Sequence, residues 1–380
     1  MWKFFYHVSN TKINEVYSNF HSKLTCGRKI KKRLETLDPD VIVSVHPTMN
    51  HTPLIQSRKI AKNKGKHIPF FTVVTDLGSG HCMWFERRVN KLFVASDRLY
   101  KLARRRGGTK PDDIIMTGLP IRHGFAVQAE KLGDRTSETG KEYQRQIRAE
   151  LDMDGEKPMV LVMGGGEGVG GLSDIVDELY AELSSQGVDA TICVVCGRNE
   201  KLKEDLSTRN FDDVTIGIQA KKLKRQNRPG ILRRIFRRKR KSEGDDTTTT
   251  ATTSQGKVDV LPLGFVTDMP EYMVAADVLV SKAGPGTIAE AASVGLPVMM
   301  TSFLPGQEAG NVDVVLEKQF GEFNKNPTKI AETVTSWLQD DELMARMIKS
   351  ATEAGNPYAA DEIVADIGKE TIAWMNAHEA

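Results

Sequence analysis

The chain has 380 residues, 39% hydrophobic and 27% charged, with a formal net charge of +3; this is room for two folded domains at roughly 150 residues each and excludes a fibrous or wholly disordered chain. No run approaches the roughly 18 apolar residues of a membrane-crossing helix, so any membrane contact is expected to be peripheral. Four cysteines at irregular spacing fit a reducing compartment and exclude a disulfide framework.

Met1-Trp-Lys-Phe-Phe-Tyr is too short and aromatic for a secretory signal and unlike a transit peptide, so the sequence is expected to start inside a domain. Residues 39–45 read as a buried strand ending at His46-Pro47, followed by a lysine-rich helical stretch and a strand at 69–75 ending at Asp76. Short strands at 91–95 and 113–117 follow, the latter running into Gly118-Leu-Pro-Ile-Arg122. Alternation of strands and helices predicts an α/β domain on a parallel sheet. His46 and His51 follow one strand; Asp76, His81 and Trp84 follow another. A lone histidine there either caps a turn or serves as a base, for which His46 and His81 are the candidates. Trp84 either packs or dips into lipid headgroups.

Residues 136–154 turn polar and are read as a connection plus a helix. A second α/β domain follows, with strands at 158–163, 191–196, 258–261, 277–281 and 297–301. The expected division is 1–150, an acceptor-side or membrane-side domain; 155–353, a second domain; and a helical segment 354–380 that can fold back onto the first. Residues 219–257 interrupt the second domain with a composition that buries no core, so a disordered insertion is expected. Twelve Lys or Arg and no acid lie between Lys221 and Lys241, leaving the rest of the chain at −9. Ile231, Leu232, Ile235 and Phe236 recur there at helical spacing, an arrangement that suits an anionic lipid surface. Without a stacking-aromatic module the charges do not require nucleic acid, and none is expected as a partner. Cys193 and Cys196 lie three apart in one strand, facing opposite sides, and are read as small apolar residues.

Phe265 and Val266 follow Gly264, and three strand ends carry polar or glycine turns: Gly165, Gly166, Glu167 and Gly168; Gly197, Arg198 and Asn199; and Lys282-Ala283-Gly284-Pro285-Gly286-Thr287. The last opens into an alanine-rich helix, so free N–H groups and a positive helix end converge, which suits a diphosphate. Such turns at the carboxyl edge of a parallel sheet form a nucleotide crevice. No Asp-x-Asp with a hydrophobic lead is present, so neither a divalent metal nor another cofactor is expected.

In order along nearly the whole chain outside 219–257, Val45-His-Pro, Thr72-Val-Val-Thr-Asp-Leu77, Gly118-Leu-Pro-Ile-Arg122, Met163-Gly-Gly-Gly-Glu-Gly168, Cys196-Gly-Arg-Asn199, Lys282-Ala-Gly-Pro-Gly-Thr-Ile-Ala-Glu290 and Gly306-Gln-Glu-Ala-Gly-Asn311 resemble the monogalactosyldiacylglycerol synthases. The resemblance implies a GT-B fold, two Rossmann-like domains facing a cleft, with the first βα unit of the N-terminal domain and its base histidine upstream of Met1. It further implies inverting transfer of galactose from UDP-galactose to 1,2-diacylglycerol at a plastid envelope, on an anionic surface of phosphatidylglycerol or phosphatidic acid. Arg122 and Lys282 would then add charge at the donor phosphates, Glu290 bridge the ribose, Phe265 lie along uracil, and Gln307, Glu308 and Asn311 meet galactose and the adjacent phosphate. Asp76 and Trp84 fall on the acceptor or lipid side. A related transferase using UDP-N-acetylglucosamine has a Gln-Gln pair where this chain has Gln307-Glu308. A catalytically inactive UDP-binding paralogue at a membrane surface is the non-enzymatic alternative.

Overall fold

The computed structural model describes residues 2–164, 171–226 and 255–379; the glycine-rich turn 165–168 and the bulk of the basic, threonine-rich insertion lie outside the described residues. Strands β1 (Ile42–Ser44), β2 (Phe70–Val73), β3 (Lys91–Val94) and β4 (Ile114–Met116) form one parallel sheet in chain order. A second parallel sheet contains β5 (Met159–Met163), β6 (Ala190–Val195), β7 (Val258–Leu263), β8 (Val278–Lys282), β9 (Val298–Ser302) and β10 (Gly321–Phe323), in the order β10-β9-β8-β5-β6-β7. Successive strands are added to one side of β5 as far as β7 and to its other side from β8 onward, so the switch point lies between β5 and β8 and a crevice opens beyond their carboxyl ends. The nine strands expected from β-branched runs are all present; β10, Gly-Glu-Phe, has no apolar run to announce it. The segment expected to be structureless from 219 onward instead begins within a helix, Phe211–Gln226.

Strand alternation sorts the second core. Leu161, Cys193, Leu279, Val298 and Met300 face one side; Val160, Val162, Ile192, Val194, Val280 and Met299 face the other. Cys193 and Cys196 accordingly fall in opposite clusters, and burial pushes the Cys193 thiol up to about 12. The first sheet buries Phe70, Leu92 and Val94 under Leu54, Trp84 and Leu99 on one face. On its other face Phe71, Val73 and Phe93 meet Ile363 and Ile367 of the C-terminal helix Ala359–Glu379, which crosses back from the second domain.

Helices His123–Leu132 and Glu138–Glu150, counted with the first domain in the sequence division, pack elsewhere. Phe125, Leu132 and Ile147 belong to the cluster under the second sheet. The reason is electrostatic as well as apolar. Arg135, fully buried between the two helices, donates to the carbonyls of Val294 (2.9 Å), Met273 (2.9 Å) and Ala276. Burial lowers its guanidinium to about 10, with Asp277 opposing. Arg148 donates to Ala275 O (2.8 Å) and pairs with Asp277 at 2.6 Å. Each arginine caps carbonyls that would otherwise be buried unpaired.

Arg135→Met should therefore lower unfolding free energy by about 3 kcal/mol, because the carbonyls of Val294 and Met273 lose this donor and that of Ala276 keeps only Gln144 Nε2 at 3.2 Å. Urea denaturation measures it, and a loss under ~1 kcal/mol contradicts the role.

Candidate functional site

At the carboxyl end of β8 the chain turns through Ala283 and Gly284 into the helix Pro285–Ser293, with proline at its first position. Ala283 N–H donates to Ser302 O and Gly284 N–H to Lys282 O, both at 2.8 Å, and Pro285 has no N–H. Of the amides expected to hold a diphosphate, Gly286 and Thr287 are the two left at the helix mouth without an intrahelical acceptor. A side chain at Gly286 would meet nothing within 4 Å, so this end is open. Here a small anion meets donors and a positive helix end together.

Across the turn, Lys282 Nζ pairs with Glu308 Oε1 at 2.7 Å, and Glu308 Oε2 accepts Leu304 N–H at 2.7 Å. Glu308 is buried, so this pairing compensates a carboxylate that would otherwise be costly. Arg122 Nε reaches Glu290 Oε1 at 2.9 Å, with the guanidinium 5.1 Å from the Phe125 ring centroid. Expected to face ribose and phosphate separately, Arg122 and Glu290 satisfy each other, a half-exposed guanidinium on a carboxylate only 13% exposed.

The outer wall is aromatic. Phe265 is 70% exposed rather than in the core, with Arg198 5.9 Å above its ring. Val266 packs beneath it against the core. Gly197 takes φ +60°, and Asn199 Oδ1 caps the following helix by accepting Leu202 N–H at 3.1 Å. Asn199 is thus held as a cap and Arg198 is the side chain this turn presents. Gly165, Gly166, Glu167 and Gly168, expected to complete the wall, lie outside the described residues.

The opposite wall is the loop after β2. Trp84 Nε1 donates to Asp76 Oδ2 at 2.7 Å, and burial raises the Asp76 carboxyl above its ordinary range against the bonds from Trp84 and the His81 backbone. Trp84 is only 2% exposed, which rules out the lipid-dipping role considered for it: the indole belongs to the core and positions Asp76. Both candidate histidines are occupied. His46 is exposed, with Nδ1 2.9 Å from Thr48 Oγ1, and caps the 3₁₀ turn Pro47–Met49. His81 caps Cys82–Trp84, lies 3.3 Å from Ser9 Oγ, and is lowered by burial.

Asn311, expected to meet galactose or phosphate, is committed to the junction of the walls. Its Oδ1 accepts Gly78 N–H and its Nδ2 donates to Ala283 O, both at 2.9 Å. Ser79 Oγ donates to Gln307 O at 2.8 Å, so Gln307, whose side chain is exposed, is anchored by its backbone. Three further participants escaped sequence reasoning. Gly78 and Gly310 abut so closely that a Cβ on Gly310 would lie 2.4 Å from Gly78 O. Tyr6 presses its ring on Gly306, which sits at φ +92°, and its buried hydroxyl has no hydrogen-bond partner among the described residues. The paired glycines were the available signal, but their partnership is not visible in one sequence. Among the described residues no cluster of His, Cys, Asp and Glu can hold a metal ion.

Comparisons with known proteins agree on one group. A family profile described as "Monogalactosyldiacylglycerol (MGDG) synthase" matches residues 1–121, and one described as "Glycosyltransferase family 28 C-terminal domain" matches 238–363. The probable chloroplastic monogalactosyldiacylglycerol synthase of Nicotiana tabacum is 34% identical over 97% of this chain and 58% of its own length. Monogalactosyldiacylglycerol synthase 3 of Arabidopsis thaliana is 31% identical over 97% of this chain and 67% of its own. The chain thus spans 58% and 59% of the first relatives it matches. Among solved structures, MurG of Acinetobacter baumannii superposes with a TM-score of 0.56 at 14% identity, over 92% of this chain and 79% of that one. A putative UDP-N-acetylglucosamine 2-epimerase from Listeria monocytogenes gives 0.52 at 12%, over 90% and 76%. Two facing parallel-sheet domains of this kind constitute the GT-B fold.

The raised Asp76 carboxyl carries a sign. Its folded form holds the proton more tightly than the unfolded chain, so ionised Asp76 costs stability, and the cost sets in as pH rises through the raised value. Asp76→Asn, which retains an acceptor for Trp84, should melt higher than the parent at pH 7, the two converging at about pH 4 and below. Thermal melts across that range test this; a pH-independent or reversed difference contradicts it.

Proposed function

The chain belongs to the monogalactosyldiacylglycerol synthase family, and from that premise we propose that it transfers galactose from UDP-galactose to the free hydroxyl of 1,2-diacylglycerol with inversion, at the surface of a plastid envelope membrane. The observation that carries the reading is the open mouth of the Pro285–Ser293 helix facing the Gly306–Asn311 loop, with Lys282 Nζ between them on Glu308.

In this reading the diphosphate takes the N–H groups of Gly286 and Thr287 and the ammonium of Lys282. Glu290, released from Arg122, receives the ribose hydroxyls, and Arg122 turns to phosphate. Phe265, exposed beside Arg198, offers a face for uracil. Gln307 and Glu308 meet the hexose; a carboxylate accepts from two hydroxyls, which favours galactose over an acetamido sugar. The acceptor oxygen attacks C1 from the face opposite UDP while the C1–O bond to the distal phosphate breaks, its electron pair leaving on UDP. Helix mouth and lysine stabilise that developing charge. Asp76, held by Trp84, takes the proton of the attacking hydroxyl as the new C1–O bond forms, and its burial, which favours the protonated carboxyl, suits it to that role. Among the described residues no helix is long and apolar enough to cross a membrane.

Radiolabelled UDP-galactose with diacylglycerol vesicles should give a monogalactosyl lipid, whereas label transferred only from UDP-N-acetylglucosamine would overturn the donor assignment. In calorimetry Lys282→Ala should weaken UDP binding about tenfold, the ~1.4 kcal/mol of one charge-assisted contact, with Lys282→Arg largely restoring it. Unchanged affinity in the alanine variant would remove UDP from this turn.

A further inference from the structure

Helix α1 (Trp2–Ser9) carries Tyr6 to the junction of the two walls. A phenol is normally buried only where its hydroxyl finds a partner, because without one it forfeits the hydration it had in water. Tyr6 is 9% exposed, and among the described residues nothing hydrogen-bonds its Oη. Such a group persists where the fold pins it and a ligand completes it.

The pinning is explicit. The Tyr6 carbonyl accepts Asn10 N–H and the Ser9 hydroxyl, each at 2.9 Å. His81 Nδ1 accepts Met83 N–H at 3.4 Å, so the ring proton sits on Nε2 and donates to Ser9 Oγ at 3.3 Å. The Tyr6 ring stands edge-on to that imidazole, with centroids 5.9 Å apart and planes at 74°. Its other side lies on Gly306, where a Cβ would come within 2.7 Å of Tyr6 Cδ1. The ring is thus clamped between the loop after β2, which carries His81, and the loop that carries Gln307 and Glu308.

Asp76 is the foremost charge around the hydroxyl. Burial first, and then this carboxylate, push the phenol up to about 12, so it keeps its proton and serves as a donor. Arg106, which opposes them, donates to Asn10 Oδ1 at 3.2 Å. A donor lacking an acceptor and a carboxyl that burial disposes to take a proton therefore share one interior beside the hexose loop. An alcohol oxygen arriving there has one proton and two lone pairs. Asp76 takes the proton and one lone pair goes to C1, which leaves the second lone pair for a donor.

We propose that Tyr6 is a further catalytic residue of the transfer: its Oη–H donates to the attacking oxygen beside Asp76 and holds that oxygen over the Gly306–Asn311 loop. Tyr6 keeps its own proton throughout; the acceptor's proton passes to Asp76 as the C1–O bond forms and UDP leaves with the electron pair of the broken bond. The inference rests on the reading of the acceptor as diacylglycerol with Asp76 as its base.

Tyr6→Phe in the full chain keeps the ring on Gly306 and removes only the oxygen. It should melt no lower than the parent and bind UDP equally in calorimetry. With UDP present, its affinity for a short-chain diacylglycerol should fall about fivefold, the scale of one neutral hydrogen bond. Its kcat for galactosyl transfer should fall about tenfold with KM for UDP-galactose unchanged. Parental acceptor affinity and kcat in Tyr6→Phe overturn the proposal, as does a lower melting point at unchanged kcat, which would give the hydroxyl a structural partner instead. A parent that binds no diacylglycerol overturns it too. Galactolipid made equally by parent and variant removes Tyr6 alone and leaves the donor reading in place. If the parent transfers no galactose while acceptor affinity still depends on the Tyr6 oxygen, the donor reading falls and Tyr6 keeps its role at the acceptor.

Discussion

One carboxamide and one glycine pair hold the two halves of this protein in working register. Asn311 accepts from Gly78 in the loop after β2 and donates to Ala283 in the turn after β8, while Gly78 and Gly310 touch backbone to backbone. Neither glycine has room for a methyl group, so the contact exists only because both residues lack one. The proposed displacement requires its attacking oxygen and leaving group to be closely aligned, and the two loops that would hold them are bridged by the single side chain of Asn311. Tyr6 against Gly306 and Ser79 on Gln307 O brace the same junction from its flanks.

Lys282 with Glu308 and Arg122 with Glu290 balance charge across the cleft. The two pairs differ physically: Glu308 is buried and holds a second bond to Leu304 N–H, so it is a fixed part of the wall, whereas Arg122 is half exposed. In the proposed reading, ligand entry exchanges the Arg122–Glu290 pair and leaves the Lys282 side in place.

Much of the fold was legible because buried parallel strands are short, β-branched and bounded by turn residues, as in Val278-Leu-Val before Gly-Pro-Gly. Periodicity, however, states that a residue has a face and not what covers it. Helices 123–150 read as part of the first half until Arg135 and Arg148 are seen capping carbonyls of the second. Trp84 looked equally able to pack or to meet lipid, and only its burial decides. At the site the turn residues were found from their types, but the sharing of amides was not: two of the expected phosphate donors are spent on Ser302 and Lys282, and Asn311 on the junction. Those assignments depend on which groups meet across more than two hundred residues of chain.

Amide hydrogen exchange with and without UDP tests the central claim most directly. UDP should slow exchange in peptides covering 284–290 and 306–311 and, through Asn311, in the peptide containing Gly78. Protection confined to other segments, or bound UDP that leaves 284–290 exchanging at its free rate, would contradict the account.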